Sequence, residues 1–134
     1  MIIYPAIDLR DGKCVRLIEG DFSRETVFDA DPAAAARRWA EAGAEWLHVV
    51  DLDGAVAGHP ANLPAIEAIS SAVSIPIQLG GGLRSLENLE SAFAAGISRT
   101  ILGTSALETP ELVAAAVARW GDAIAVGLDA RDGE

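Results

Sequence analysis

One motif occurs twice in this chain, and the repeat constrains the fold more than any other feature. Near the start, Ile7-Asp8-Leu9-Arg10-Asp11-Gly12-Lys13 reads hydrophobic-Asp-x-Arg-Asp-Gly-charged, and Leu128-Asp129-Ala130-Arg131-Asp132-Gly133-Glu134 at the end reads the same. Each copy follows a short apolar run, and each sets its first carboxylate where a strand would give way to a loop. The leading residues, Asp8 and Asp129, lie 121 positions apart (129 − 8). In a chain of alternating strands and helices, a repeat of that length predicts a fold built from two similar halves. The chain then supplies one full half plus the opening strand and loop of the next, a truncated version of the whole.

With 134 residues, 51% of them hydrophobic, the chain is expected to bury a substantial core in a single domain over residues 1–134. A net charge of −10 argues against nucleic-acid partners and anionic membranes, since both need a basic face. It leaves room for phosphate ligands, which backbone N–H groups bind even in an acidic protein. Cys14 is the only cysteine, so no internal disulfide is possible, and nothing points to an oxidising compartment. His48, His59 and Cys14 show no ligand spacing, so no metal is expected. No basic-then-apolar segment opens the chain, and no apolar run reaches the ~20 residues of a membrane helix. A cytoplasmic protein is the expectation.

Short β-like runs at Ile2–Ile7, Trp46–Val50, Ile75–Leu79, Thr100–Leu102 and Ala123–Leu128 alternate with helical patterns at Pro32–Ala42, Leu63–Ala72, Leu86–Ala95 and Pro110–Arg119. Asp31 with Pro32, Ser85, and Thr109 with Pro110 mark helix starts, while Gly43, Gly96 and Gly121 mark ends. The order βαβαβαβαβ predicts a parallel sheet with crossover helices, either an open doubly wound sheet or part of a (β/α)8 barrel. The repeat favours the barrel, which needs ~250 residues when complete. This chain supplies a half-barrel of four βα units plus a fifth strand.

Polar residues cluster just after the predicted strand ends, where both architectures place their sites. Gly80-Gly81-Gly82, followed by Leu83-Arg84-Ser85, lets backbone approach a ligand closely beside a helix start, which suits phosphate. Gly103-Thr104-Ser105 follows the next strand and offers two hydroxyls. Adjacent strands would bring the two glycine loops together into one cradle. Asp8 and Asp129 would point into a barrel mouth, where paired carboxylates can divide acid and base roles. Asp11 and Asp132 read as turn formers. Asp51 ends the second predicted strand and is expected to face the mouth, with Asp53 in the loop beyond. His48 lies within that strand, where a core role is as reasonable as ligand contact.

Taken together, Pro5-Ala6-Ile7-Asp8-Leu9-Arg10-Asp11-Gly12-Lys13-Cys14-Val15-Arg16-Leu17, His48-Val49-Val50-Asp51-Leu52-Asp53-Gly54-Ala55, Gln78-Leu79-Gly80-Gly81-Gly82-Leu83-Arg84 and Gly127-Leu128-Asp129 resemble a family of histidine-biosynthesis isomerases. That family acts on phosphoribosyl-formimino-aminoimidazole-carboxamide ribotide and folds as a twofold-symmetric (β/α)8 barrel. The resemblance implies an Amadori rearrangement of an aminoaldose to an aminoketose, with Asp8 as general base and Asp129 as general acid. It implies one substrate phosphate at Gly80–Gly82 and Gly103–Ser105, with Arg84 nearby, and a substrate-lining position for His48. A proton shift between adjacent carbons requires no redox agent, so no cofactor is expected. A sister cyclase is separated by the opening Pro5-Ala6-Ile7-Asp8.

The family's later strands, with the second phosphate loop, lie outside this sequence. Activity is therefore expected to be weak without a complementary C-terminal half. The alternative is a noncatalytic phosphate-binding half-barrel that self-assembles. Either way a homo-oligomer, or a complex with the complementary half, is expected. The first and fifth strands would be exposed edges, and inward residues such as Ile3, Ala6, Val49, Ile77 and Ile101 would lack cover.

Overall fold

The computed structural model describes all residues, Met1–Glu134. Its elements in chain order are β1 (Ala6–Arg10), β2 (Lys13–Ile18), β3 (Asp21–Asp29), α1 (Pro32–Glu41), β4 (Leu47–Asp51), α2 (Leu52–Ala57), α3 (Leu63–Ala72), β5 (Ile77–Gly80), α4 (Leu86–Ala94), β6 (Arg99–Leu102), α5 (Thr104–Glu108), α6 (Pro110–Trp120), a 3₁₀ turn (Gly121–Ala123) and β7 (Ile124–Val126).

Helices α1, α4 and α6 start where the capping residues predict them, and α3 spans the predicted Leu63–Ala72. Asp31 accepts the Ala34 N–H at 3.2 Å with Pro32 opening α1, and Ser85 accepts the Asn88 N–H at 3.1 Å to open α4. Beyond those helices, Gly43 and Gly96 have φ of 100° and 99°. Only glycine takes that conformation cheaply, and the helices stop there.

All seven strands form one sheet in the order β3-β2-β1-β4-β5-β6-β7, and β1, β4, β5, β6 and β7 are successive parallel neighbours. A doubly wound sheet reverses its strand order at a switch point; this one runs on without reversal. Burial alternates along β1, β4 and β6 and over the first three residues of β5. Leu47, Val49, Ile77, Leu79, Thr100 and Leu102 are buried, whereas His48, Val50, Gln78, Arg99 and Ile101 are half-buried. The buried set packs with Ile66, Ile69, Leu89, Ala92, Leu112 and Ala116 from the helices into one core. The opposite face lies open, so the chain has the helix-outside, singly wound arrangement of a half-barrel. Truncating a fully buried core residue such as Leu79 to Ala would cost roughly 2–5 kcal/mol.

Three parts of the sheet differ from the sequence expectation. The first strand is Ala6–Arg10 rather than Ile2–Ile7, and Ile2 and Ile3 are exposed outside any strand. Ladder partners exist only for its later residues: β4 pairs with Ala6–Leu9 and β2 with Asp8–Arg10, and Pro5 adds a single bond from the His48 N–H at 2.9 Å. Second, the sequence predicts no strand over 13–29, where β2 and β3 form an antiparallel pair joined at Glu19-Gly20 and entered from β1 through the Asp11-Gly12 turn. Positive φ at Asp11 and Gly12, 50° and 73°, matches the hairpin-forming turn whose twist suits the flanking strands. The hairpin covers β1, so β3 and β7 are the sheet edges, not β1. Third, Val49 and Ile77 face the helices rather than the open side.

The last strand is also shorter than expected, Ile124–Val126, and Leu128 and Asp129 follow it in exposed irregular chain. Yet the motif repeat has a structural counterpart. Asp132 and Gly133 have φ of 54° and 84°, close to Asp11 and Gly12. Arg131 and Glu134 exchange backbone hydrogen bonds at 2.8 and 3.0 Å across that turn, as Arg10 and Lys13 face each other across the first. Both copies encode the same turn.

Candidate functional site

At the C-terminal ends of β5 and β6, a cavity of about 160 Å³ is lined by Gly81, Gly82, Leu83, Arg84, Gly103, Thr104, Ser105 and Asp129, with Ala55 and Ile101. The two glycine loops and the second repeat carboxylate thus meet in one place. Gly80 closes β5 immediately before the cavity. The Arg84 guanidinium lies 3.5 Å from the Ala55 carbonyl oxygen and is the one cationic side chain on the lining.

The glycines have two different reasons for being there. A Cβ on Gly81 would sit 2.4 Å from the Asp51 carbonyl oxygen, and one on Gly82 would sit 2.5 Å from that of Gly54. Both have positive φ, 103° and 76°. These two positions let the β5 loop pass under the start of α2, so their first role is packing. Gly103 differs, because a Cβ there would meet nothing within 4 Å. Its bareness keeps the cradle open.

Of the two hydroxyls, only one faces solvent. Ser105 is buried and donates to the Leu83 carbonyl at 2.9 Å, which ties the two glycine loops together. Its proton is spent within the protein, contrary to the expectation of a free ligand donor. Thr104 is exposed at the cavity wall.

Asp51 does not face the mouth. It is wholly buried, and its carboxylate accepts from Gly54 N–H (2.8 Å), Ala61 N–H (2.7 Å), Asn62 N–H (3.0 Å) and Asn62 Nδ2 (2.8 Å). Those bonds cap α2 and anchor the loop leading to α3. Asp53, inside α2 rather than in a loop, accepts from Asn62 Nδ2 at 2.8 Å and from Asp11 N–H at 2.7 Å; Asn62 Oδ1 in turn accepts from Gly12 N–H at 2.9 Å. The His48–Ala55 motif is therefore a polar knot that fixes the β1–β2 turn above Asp8.

Asp8 lies on the open face of β1, half-buried, with His48 nearby on the same face of β4. Burial raises the Asp8 carboxyl above its ordinary value of 3.8, and His48 opposes the rise; burial lowers the His48 imidazole below 6.5, and Asp8 opposes the fall. A half-buried carboxylate with a raised pKa is suited to general base work nearer neutrality. Asp8 and Asp129 do not share a cavity: Asp8 lines a groove of about 550 Å³ with Val15, Phe28 and Trp39, between β1, the hairpin and α1. The structure brings the phosphate-loop residues together with Asp129, and Asp8 together with His48.

Sequence reading missed the residues beside His48. Gln78 Nε2 lies 2.9 Å from His48 Nδ1, Arg99 Nε donates to Gln78 Oε1 at 2.8 Å, and an Arg99 terminal N–H donates to the Tyr4 hydroxyl at 2.9 Å. The Arg99 guanidinium also stacks over Trp46 at 4.4 Å. The signal was present. His48 and Gln78 are each a polar residue between apolar ones, and Gln78 pairs with both His48 and Arg99 in the parallel ladder, although Arg99 itself stands between Ser98 and Thr100.

Comparison with known proteins follows the same lines. Residues 2–134 match the family described as histidine biosynthesis protein. The chain is 57% identical over 134 residues to the 1-(5-phosphoribosyl)-5-((5-phosphoribosylamino)methylideneamino) imidazole-4-carboxamide isomerase of Moorella thermoacetica, covering 100% of this chain and 55% of that protein. Isomerases of the same name from Paracoccus denitrificans and Pelotomaculum thermopropionicum are 56% and 57% identical over 133 residues, 99% of this chain and 56% and 51% of theirs. The chain spans about half the length of the curated relatives it matches. No helix is long and apolar enough to cross a membrane. Sequence, strand order and repeat agree: the chain belongs to the histidine biosynthesis protein family, whose (β/α)8 architecture it represents in part.

Proposed function

We propose that this chain carries the N-terminal half of the active site of an aldose–ketose isomerase acting on a bisphosphorylated ribotide. The cradle that joins Gly81, Gly82, Gly103–Ser105 and Asp129 in one cavity is the observation that carries this reading. Relatives 55% or more identical are named for a substrate bearing two phosphoribosyl groups, and one of those phosphates would occupy the cradle. Arg84 and the backbone N–H groups there would supply the positive field.

In the proposed Amadori sequence, Asp129 protonates the ribose ring oxygen as the C1–O bond breaks, leaving a C1=N iminium. Asp8 then removes the C2 proton to give an enaminol, which takes a proton at C1 as the C2 hydroxyl becomes a carbonyl. Proton loss and gain balance, and no electron acceptor is needed. His48 lines the substrate beside Asp8. We place this chemistry in the cytoplasm, where a free thiol such as buried Cys14 stays reduced.

Asp8 and Asp129 line separate cavities, and this favours an active site completed by further chain. The exposed apolar surface agrees. A groove of about 490 Å³ beside β7 is walled by Leu107, Val113, Val117, Val126 and Leu128, and Leu107 and Leu128 are 73% and 77% exposed. Ahead of β1, Ile3 is 71% exposed. Wet apolar surface of this kind invites a complementary C-terminal half or a second copy of the chain. If that assembly buries phosphate but not catalysis, the chain is a noncatalytic phosphate-binding half-barrel.

Turnover of the aminoaldose ribotide, measured for the chain alone and mixed with the C-terminal half of a relative, separates the two readings. The isomerase reading expects little rate alone and recovery on mixing. Phosphate binding with no recovery in a folded complex would leave the noncatalytic reading.

A further inference from the structure

The two histidines of this chain sit in opposite hydrogen-bonding environments, and one of those environments is built by residues outside the phosphate cradle. Arg99 can only donate. Its Nε–H points at the Gln78 side chain, so the atom it meets at 2.8 Å must be Oε1. That fixes the other end of the amide: Nε2, a donor, faces His48 Nδ1 at 2.9 Å. A nitrogen that receives an N–H bond has no proton of its own. His48 Nδ1 therefore accepts, and the imidazole proton resides on Nε2.

Arg99 is itself held in place. A terminal N–H donates to the Tyr4 hydroxyl at 2.9 Å, and the guanidinium stacks over Trp46 at 4.4 Å and Tyr4 at 5.7 Å. The Tyr4 and Trp46 rings lie 5.7 Å apart. No carboxylate competes for Arg99 in this arrangement. The charged groups facing His48 across the open side are Asp8 from β1 and, beyond Gln78, Arg99 from β6.

We infer that Arg99 and Gln78 are positioning residues that lock His48 as the neutral Nε2–H tautomer, so that it serves as a hydrogen-bond donor beside Asp8 and not as a proton acceptor. A protonated His48 would aim an Nδ1–H at the Gln78 amide protons, so the relay opposes charging; burial of the imidazole acts in the same direction. The division of labour is chemical: Asp8 takes protons, and His48 offers one hydrogen bond without giving up its proton. The use of that donor at the sugar rests on the isomerase reading above. The tautomer itself does not.

The test is long-range ¹H–¹⁵N NMR of the imidazoles in the 134-residue chain, which needs no substrate. His59 is the internal control, because its Nδ1 lies 3.2 Å from the Pro60 carbonyl oxygen and must donate. The expected spectra show Nε2–H for His48 and Nδ1–H for His59, with His48 titrating below the ordinary imidazole value of 6.5. In Gln78→Glu, the carboxylate still accepts from Arg99 and presents an acceptor to His48. The His48 proton should move to Nδ1 and its pKa should rise by roughly 1–3 pH units, as for an opposite charge at this range. If Gln78→Glu does not fold, Arg99→Met releases the amide, and His48 should become a mixture of tautomers. Nδ1–H at His48 in the unaltered chain overturns the relay, as do variant spectra identical to it. Absence of turnover in a completed barrel would count against the catalytic reading of Asp8 without moving these signals.

Discussion

The Gly81 backbone runs so close to Asp51 that a Cβ added to Gly81 would lie 2.4 Å from the Asp51 carbonyl oxygen. Backbone cannot yield as a flexible side-chain tip can, and φ at Gly81 is 103°. Gly81→Ala is therefore expected to destabilise the fold by about 3 kcal/mol or more, whatever it does to phosphate. Gly103→Ala should behave oppositely, since its Cβ would meet nothing within 4 Å and Gly103 lines the cradle. Denaturant unfolding together with phosphate titration separates them: Gly81→Ala loses stability, and Gly103→Ala keeps stability but binds phosphate at least several-fold more weakly. Unchanged phosphate affinity in Gly103→Ala would remove the cradle from the account.

Asn62 is the centre of the knot above Asp8, donating to Asp51 and Asp53 at 2.8 Å each and accepting from Gly12 at 2.9 Å. Asn62→Ala leaves the buried Asp51 carboxylate and the Gly12 N–H each short of a partner. A loss of about 2–4 kcal/mol is expected. Hydrogen exchange should quicken at Gly12 and Gly54 before it does in the β5–β6 core. Uniform exchange across the sheet would contradict a local knot.

Thr100 is fully buried on the helix-facing side, and its hydroxyl oxygen has no hydrogen-bond partner. An orphaned buried hydroxyl costs about 1–3 kcal/mol. Thr100→Val, which keeps the shape, should stabilise the chain by roughly 1 kcal/mol, read as a higher urea midpoint with an unchanged slope.

The raised Asp8 pKa fixes the sign of a pH effect. In the unfolded chain Asp8 titrates near 3.8, and in the folded chain higher, because burial disfavours the charge. Between those values the native state keeps a proton that the unfolded state has lost, so this contribution to stability falls as pH rises through the window. Asp8→Asn should raise the thermal midpoint at pH 7, and the gain should vanish below about pH 3.8. His48 acts in the opposite sense: its depressed pKa makes stability fall as pH drops below 6.5. Because Asp8 opposes that depression, Asp8→Asn also alters the His48 contribution, so the Asp8 effect is read at pH 7 and above, where His48 is largely neutral in both states. A lower midpoint for Asp8→Asn at pH 7 would show Asp8 to be held by a favourable interaction instead.

Much of the frame was legible in the sequence because it depends on local chemistry. Asp31, Pro32, Ser85, Gly43 and Gly96 announce helix ends by satisfying or ending backbone hydrogen bonding, and the alternating apolar strands announce a one-sided core. The antiparallel β1–β2 pairing was hidden by reading Asp11-Gly12 as punctuation, although Asp-Gly between extended segments is a hairpin signal. The cradle was legible because its glycines cluster at successive strand ends. The role of Asp51 was not, since its partners Ala61 and Asn62 lie ten and eleven positions on and meet it only when α2 folds back. His48 and Gln78 stood out as lone polar positions in apolar strands, but the link from His48 through Gln78 to Arg99 was hidden for a related reason: it exists only in the register between strands.

The most direct test of the central claim is the steady-state isomerisation rate of the barrel completed with a C-terminal half, carrying Asp8→Asn or Asp129→Asn, with phosphate affinity measured alongside. Each substitution should lower kcat by roughly 10²–10⁴-fold, the usual contribution of a positioned acid or base, and Asp8→Asn, which lies outside the cradle, should leave phosphate binding there unchanged. Retention of the full rate by either variant in a folded complex would contradict the assignment of this half-barrel as the bearer of the reaction's acid and base.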